Sequence, residues 1–174
     1  MSLPSPYSKD VLPETIKSRF LEDVNGLTFH ILEAGENDPT RPLVLLLHGF
    51  PELAFSWRKV MPILAGYGYY VIAPDQRGYG RTIGWNNEYD TDLNNFRLLN
   101  VVRDILGILQ HIGRKKVEAV VGHDFGASVA AYLTLIRPDV FRSMVLMSAP
   151  FSGPPSRDQK KSDSIHTDLK NLER

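Results

Sequence analysis

Three short motifs in this chain of 174 residues combine chemically reactive side chains with glycines. The central motif is Gly122-His123-Asp124-Phe125-Gly126, in which an aspartate stands midway between two glycines. A carboxylate at such a position can attack a saturated carbon without first losing a proton. The other motifs are His48-Gly49-Phe50-Pro51 and Asp75-Gln76-Arg77-Gly78-Tyr79-Gly80.

The residues around Asp124 predict a strand, a sharp turn and a helix. Residues 117–121 form a short β-branched run typical of a buried strand, and a small-residue helical pattern runs from Ala127 toward Arg137. A nucleophile elbow requires this arrangement, with aspartate here in place of serine. The helix N-terminus favours an anion, so we expect an ionised carboxylate. The alternative is that Asp124 only caps the helix.

Apolar or alternating runs predict five further strands. They cover residues 18–24, 27–33, 43–47, 69–73 and 143–147. Asn25-Gly26 between the first two is the signal of a two-residue type I′ hairpin. Strands that alternate with helices predict an α/β fold with a mostly parallel sheet, here preceded by an antiparallel hairpin.

Two more helices are predicted between these strands. Residues 55–65 carry apolar side chains three and four positions apart, with Pro62 inside as a kink or an early stop. Residues 98–112 form the clearest amphipathic pattern, which we expect Asp92 to cap and Gly113 to end.

The composition argues against several classes of protein. Lys plus Arg equals Asp plus Glu at 20 each, so charge gives no argument for binding nucleic acid or an anionic membrane. The chain has no cysteine, which excludes disulfides and thiolate metal sites. We expect no metal and no cofactor. Neither a signal peptide nor an apolar run of transmembrane length is apparent, so we expect a cytoplasmic protein.

Together the three motifs closely resemble the α/β-hydrolase superfamily, in particular its epoxide hydrolase-like branch. The resemblance covers roughly residues 15–150 and implies that Asp124 is the nucleophile. It implies an oxyanion hole made by the backbone N–H groups of Phe50 and Phe125, and a cis Phe50–Pro51 bond. Phe50, Pro51, Trp57 and Phe125 would contact the substrate.

The implied reaction is the hydrolysis of a small apolar epoxide by water. Asp124 would open the epoxide and form an ester, and a base-activated water would then attack the ester carbonyl. The two N–H groups would stabilise the tetrahedral oxyanion of the second step. One such donor contributes roughly 3–4 kcal/mol in comparable sites.

The sequence offers no good candidate for the base that would activate the water. In the family the catalytic histidine follows the nucleophile, but four of the five histidines here precede Asp124. They are His30, His48, His111 and His123. We expect His30 to be structural and His48 to fix its loop by hydrogen bonds. His166 follows Asp124 in a polar tail, which does not favour it as the base.

The resemblance divides the chain into three parts. Residues 1–17 would be an N-terminal arm on the surface, 18–150 the N-terminal part of a hydrolase core, and 151–174 the start of an incomplete cap domain. The chain therefore resembles a fragment of a hydrolase that stops after about six strands. It lacks the acid, the base and the two cap tyrosines of the family, so we expect no multiple turnover. The open edge after residues 143–147 predicts a homodimer or aggregation.

Two alternatives stay open. Haloalkane or haloacid dehalogenases of the same fold also use an aspartate, but commonly place side-chain N–H donors where Phe50 and Phe125 stand here. A truncated binding module or pseudoenzyme would need no base at all. Other motif residues have ordinary explanations. Gly78 and Gly80 serve a tight turn, and Arg77 is solvated or ion-paired.

Overall fold

A computed structural model describes residues 4–8 and 10–149 of the chain. The predicted start of a cap domain at residues 151–174, and His166 within it, lie outside the described residues. The same holds for part of the predicted arm.

The described chain forms one six-stranded sheet. Its strands are β1 (Ile16–Val24), β2 (Leu27–Ala34), β3 (Leu43–Leu47), β4 (Tyr70–Pro74), β5 (Ala119–His123) and β6 (Met144–Met147). Their order across the sheet is β1-β2-β4-β3-β5-β6. The pairs β1–β2 and β2–β4 are antiparallel, whereas β4, β3, β5 and β6 run parallel. The predicted α/β fold with a leading antiparallel hairpin is confirmed.

The leading hairpin turns at the predicted dipeptide. Asn25 has a φ of 52° and Gly26 a φ of 75°. Positive φ at both central residues is what a type I′ turn requires, and this turn matches the right-handed twist of the flanking strands.

Three α-helices connect the strands. They are α1 (Met61–Gly66), α2 (Leu98–His111) and α3 (Phe125–Ile136). Gly113 has a φ of 74°, which confirms it as the left-handed residue that ends α2. Short 3₁₀ helices at Ala54–Lys59 and Leu93–Phe96 precede α1 and α2.

Two helix predictions need correction. Residues 55–65 are two helices rather than one, and Pro62 lies in the first turn of α1, where its missing N–H costs no helical bond. The early stop before Pro62 therefore describes the structure better than a kink. The prediction that Asp92 caps the amphipathic helix is wrong, because its side chain accepts a hydrogen bond from the N–H of Asn94 and caps the 3₁₀ helix.

Apolar side chains alternate between the two faces of the sheet. On one face, Leu43, Leu45 and Leu47 pack with the buried sides of α2 and α3. On the other face, Val44 and Leu46 pack with Trp57, Met61 and part of the predicted arm. Leu12 of the arm is buried in this second cluster, so the arm contributes to the core as well as to the surface.

Strand β6 is an edge of the described sheet and is largely exposed. Met144, Val145 and Met147 are each between 42% and 50% exposed. Such an edge has unpaired backbone groups on one side, which favours association. Homodimerisation or aggregation through β6 stays a prediction, and a clean monomer in light scattering at high concentration would contradict it. Within the described residues, none of the helices has the length and apolar character needed to cross a membrane.

Candidate active site

The three motifs of the sequence meet at one edge of the sheet. They follow the carboxyl ends of β3, β4 and β5, which are neighbours in the parallel part of the sheet. Leu47, the last residue of β3, lies opposite Gly122 of β5. The parallel register therefore brings the loop that begins at His48 beside Asp124, although the two are distant in sequence.

The turn between β5 and α3 is a tight elbow. Asp124 has φ 53° and ψ −120°, a backbone conformation that residues other than glycine rarely adopt. A Cβ on Gly122 would lie 2.2 Å from the carbonyl oxygen of Gly126, and one on Gly126 would lie 2.4 Å from that of Leu47. Only glycine fits at both positions, as the elbow prediction requires. The strand begins two residues later than predicted, and the helix two residues earlier.

The Asp124 side chain faces the neighbouring loop. It makes no capping hydrogen bond to α3, which argues against the capping alternative. Its Oδ1 atom accepts a hydrogen bond from the backbone N–H of Phe50 at 3.1 Å. The N–H groups of Phe50 and then Phe125 hold the pKa of this carboxyl below its usual range. The carboxylate is thus ionised and oriented at neutral pH.

The loop that contacts Asp124 is built for close approach. The Phe50–Pro51 peptide is cis, as predicted. A Cβ on Gly49 would lie 2.5 Å from the Cβ of Asp124, so only glycine allows the two loops to touch. Phe50 is 71% exposed and Phe125 43%, and neither side chain carries an N–H group. Their backbone N–H groups are therefore the donors that this part of the site offers.

His48 holds this loop from inside the protein. It is fully buried; Nδ1 lies 2.9 Å from the carbonyl oxygen of Gly49, and Nε2 accepts a hydrogen bond from the N–H of Gln76 at 3.0 Å. Burial lowers the pKa of His48, although its hydrogen bond with Gly49 and the negative charges of Asp75 and Glu52 act in the opposite direction. The prediction that His48 fixes its loop by hydrogen bonds is confirmed.

Asp75 joins three segments beneath the site. This buried carboxylate lies 2.8 Å from Nδ1 of His30 and accepts hydrogen bonds from the N–H groups of Ala54 and Arg81. Burial alone would raise the pKa of Asp75, but the hydrogen bonds, first that of His30, outweigh it and hold the pKa low. The other ring nitrogen of His30, Nε2, lies 2.8 Å from the hydroxyl oxygen of Ser18. These hydrogen bonds support the predicted structural role of His30.

Arg77 forms a buried ion pair. Its guanidinium binds both carboxylate oxygens of Asp104 in α2 at 2.7 and 2.8 Å. Of the solvated and ion-paired alternatives, the second is correct. Gly78 and Gly80 have φ values of 87° and 56°, which confirms the tight turn predicted for them.

Tyr79 is a residue of the site that the sequence analysis missed. Burial and then the negative charge of Asp124 raise the pKa of its phenol. Its ring also packs edge-on against His48, with the ring centres 5.0 Å apart. Tyr79 follows the end of β4, and this position next to β3 was the available signal.

The remaining site predictions have mixed outcomes. Trp57 is only 8% exposed and packs in the core, and its role in substrate binding stays a prediction. His123 points away from the elbow toward Glu52, with 3.6 Å between its Nδ1 and Oε2 of Glu52. Across residues 4–8 and 10–149, no group of three or more side chains is arranged to hold a metal ion.

Comparison with known proteins identifies the fold that carries this site. A model of the α/β-hydrolase fold matches residues 42–168. The chain belongs to the α/β-hydrolase family. Epoxide hydrolase 3 of Siraitia grosvenorii is 43% identical over 129 residues, which are 74% of this chain and 38% of that protein. Epoxide hydrolase A of Mycobacterium tuberculosis is 39% identical over 130 residues, 75% of this chain and 38% of that protein.

Solved structures agree with these relatives. The crystal structure of an epoxide hydrolase from Vigna radiata superposes with a TM-score of 0.72 at 38% identity, over 88% of this chain and 46% of that one. The protein is therefore an epoxide hydrolase-like α/β hydrolase, and the resemblance read from its three motifs is confirmed. The chain spans less than half the length of these relatives.

Proposed function

We propose that Asp124 is the nucleophile of an epoxide hydrolase site and forms an ester with the substrate. The observation that carries the proposal is the ionised Asp124 carboxylate, with Oδ1 held by the Phe50 N–H at 3.1 Å. The named epoxide hydrolases among the relatives support the substrate class. The absence of side-chain N–H groups on Phe50 and Phe125 speaks against holding a departing halide.

The hydrogen bond from Phe50 distinguishes the two carboxylate oxygens. Because Oδ1 is held by the loop, Oδ2 is the oxygen that attacks an epoxide carbon. The new bond joins Oδ2 to that carbon, the carbon–oxygen bond of the ring breaks, and the ring oxygen takes a proton from solvent water to become a hydroxyl. Oδ1 is then the carbonyl oxygen of the ester and already lies at the Phe50 donor.

The second step is hydrolysis of this ester. Water would attack the ester carbonyl carbon, and negative charge would develop on Oδ1. The N–H groups of Phe50 and Phe125 would stabilise that charge by about 3 kcal/mol each. Among the described residues, no histidine side chain makes a hydrogen bond to Asp124. We therefore expect the ester to persist and this chain not to turn over.

Intact-mass measurement after incubation with styrene oxide tests the proposal. We expect the mass to rise by one epoxide, and peptide mapping to place the adduct on Asp124. An Asp124→Asn chain, which keeps the shape of the side chain, serves as the control and stays unmodified. Absence of the adduct, or an adduct elsewhere that survives in the control, would refute the nucleophile. Steady turnover of styrene oxide by the purified chain would refute the expected absence of a base.

A further inference from the structure

His48 and Asp124 hold the two ends of one peptide group. Nδ1 of His48 donates to the carbonyl oxygen of Gly49 at 2.9 Å, and the N–H of Phe50 donates to Asp124 at 3.1 Å. That carbonyl and that N–H belong to the same peptide unit, which is planar. Fixing the direction of the carbonyl therefore fixes the direction of the N–H.

The roles of the two ring nitrogens of His48 follow from Gln76. A backbone N–H can only donate, so the 3.0 Å contact from Gln76 makes Nε2 an acceptor. In a neutral imidazole the proton then lies on Nδ1, which points at the carbonyl of Gly49. His48 is fully buried, and its lowered pKa agrees with a neutral ring.

The carbonyl of Gly49 accepts a hydrogen bond from a second donor. The effect of His48 on the orientation of this peptide can therefore be distinguished from an effect on folding of the loop. The N–H of Glu52 donates to the same oxygen at 3.1 Å within the turn. The carbonyl would therefore stay satisfied without His48. What the imidazole adds is a second, buried anchor on a peptide that follows the conformationally permissive Gly49. A hydrogen bond to the carbonyl also polarises the peptide and strengthens its N–H as a donor.

We propose that His48 is a positioning residue of the oxyanion hole, which aims the N–H of Phe50 at Asp124 through the intervening peptide. The chemical part of this inference rests on the proposed function, whereas the geometric part does not.

Two substitutions separate this role from a general packing role. In a His48→Asn chain, the amide nitrogen takes the place of Nδ1 and can still donate to Gly49. In a His48→Gln chain, the longer side chain reaches the place of Nε2 and can still contact Gln76. If the role of His48 is merely structural, the Gln chain should behave more like the wild type. If His48 positions the Phe50 N–H, the Asn chain should behave more like the wild type. His111→Leu, at the exposed end of α2, is the control.

The first readout is the pKa of Asp124, followed by NMR of its side-chain carboxyl carbon. We expect the pKa to stay low in the wild-type, His48→Asn and His111→Leu chains, and to rise toward its usual value in His48→Gln. The proposal is overturned if the Gln chain keeps the low pKa or if the Asn chain loses it. This readout needs no epoxide.

The second readout is the cleavage of the Asp124 ester by hydroxylamine. After alkylation by styrene oxide, we expect cleavage at least about tenfold slower in His48→Gln than in the other chains, because the oxyanion donor is misplaced. Equal rates would overturn the chemical part of the proposal. If the wild-type chain forms no ester, the proposed function fails, and the carboxyl titration alone decides the role of His48.

Discussion

Replacing Gly126 by alanine tests whether the elbow depends on close packing between α3 and β3. Gly126 lies in the first turn of α3. A Cβ there would lie 2.4 Å from the carbonyl oxygen of Leu47 and 2.6 Å from that of His48, about 1 Å closer than ordinary contacts allow. Both oxygens belong to the backbone of a buried strand end, which cannot rotate away.

The magnitude follows from two opposing effects. Alanine is more favourable than glycine inside a helix by about 1 kcal/mol. Overpacking of a rigid contact costs about 1–3 kcal/mol, and a backbone clash belongs at the upper end. We therefore expect Gly126→Ala to lower the free energy of unfolding by about 2 kcal/mol, measured by urea denaturation at 25 °C.

Gly66 provides the matched control. Like Gly126, it belongs to a helix, since it is the last residue of α1. A Cβ on Gly66, however, would have no neighbouring heavy atom within 4 Å. Gly66→Ala should leave the free energy of unfolding unchanged or raise it by up to about 1 kcal/mol. A Gly126→Ala chain as stable as the wild type would refute the packing argument. So would equal losses at the two glycines, since the clash exists at only one of them.

Three further predictions concern buried polar groups. Arg77→Met leaves Asp104 buried without its cation and should lower the free energy of unfolding by about 3–5 kcal/mol, whereas Arg137→Met, at an exposed ion pair, should not change the urea midpoint measurably. Tyr70→Phe removes a buried hydroxyl that donates to the carboxylate of Glu33 at 2.7 Å. Urea denaturation should show a free energy of unfolding lower by roughly 1.5–3 kcal/mol. The lowered pKa of His48 means that, below pH 6.5, the unfolded chain binds a proton before the folded chain does. Stability present above pH 6.5 should thus be lost as the pH falls, by up to about 1.4 kcal/mol per pH unit, and a His48→Asn chain should lose this part of the pH dependence in urea titrations between pH 7.5 and 5.5.

Features that depend on neighbouring residues were predictable from the sequence. The elbow is one example, because a β-branched run, two glycines and a small-residue helix lie within twenty residues of each other. The hairpin at Asn25-Gly26 is another, since its turn type is set by two residues that tolerate positive φ. The start of the helix at Leu98 was predicted correctly, but its cap was not, because Asp92 caps the 3₁₀ helix that precedes it. A capping side chain serves whichever helix starts next to it, and the short 3₁₀ helix leaves little periodic signal.

The sequence by itself determined the nucleophile candidate, its elbow and the family that the three motifs indicate. Only the tertiary structure decided how these parts act on one another. The pairing of β3 with β5 brings Phe50 to Asp124 across 74 positions of sequence, and a hydrogen bond of that span has no local pattern. The same is true of the ion pair between Arg77 and Asp104, and of the ring contact between Tyr79 and His48. The physical reason is that local sequence sets backbone conformation, whereas the direction of a donor and the charge of a buried group depend on neighbours that only the folded sheet supplies.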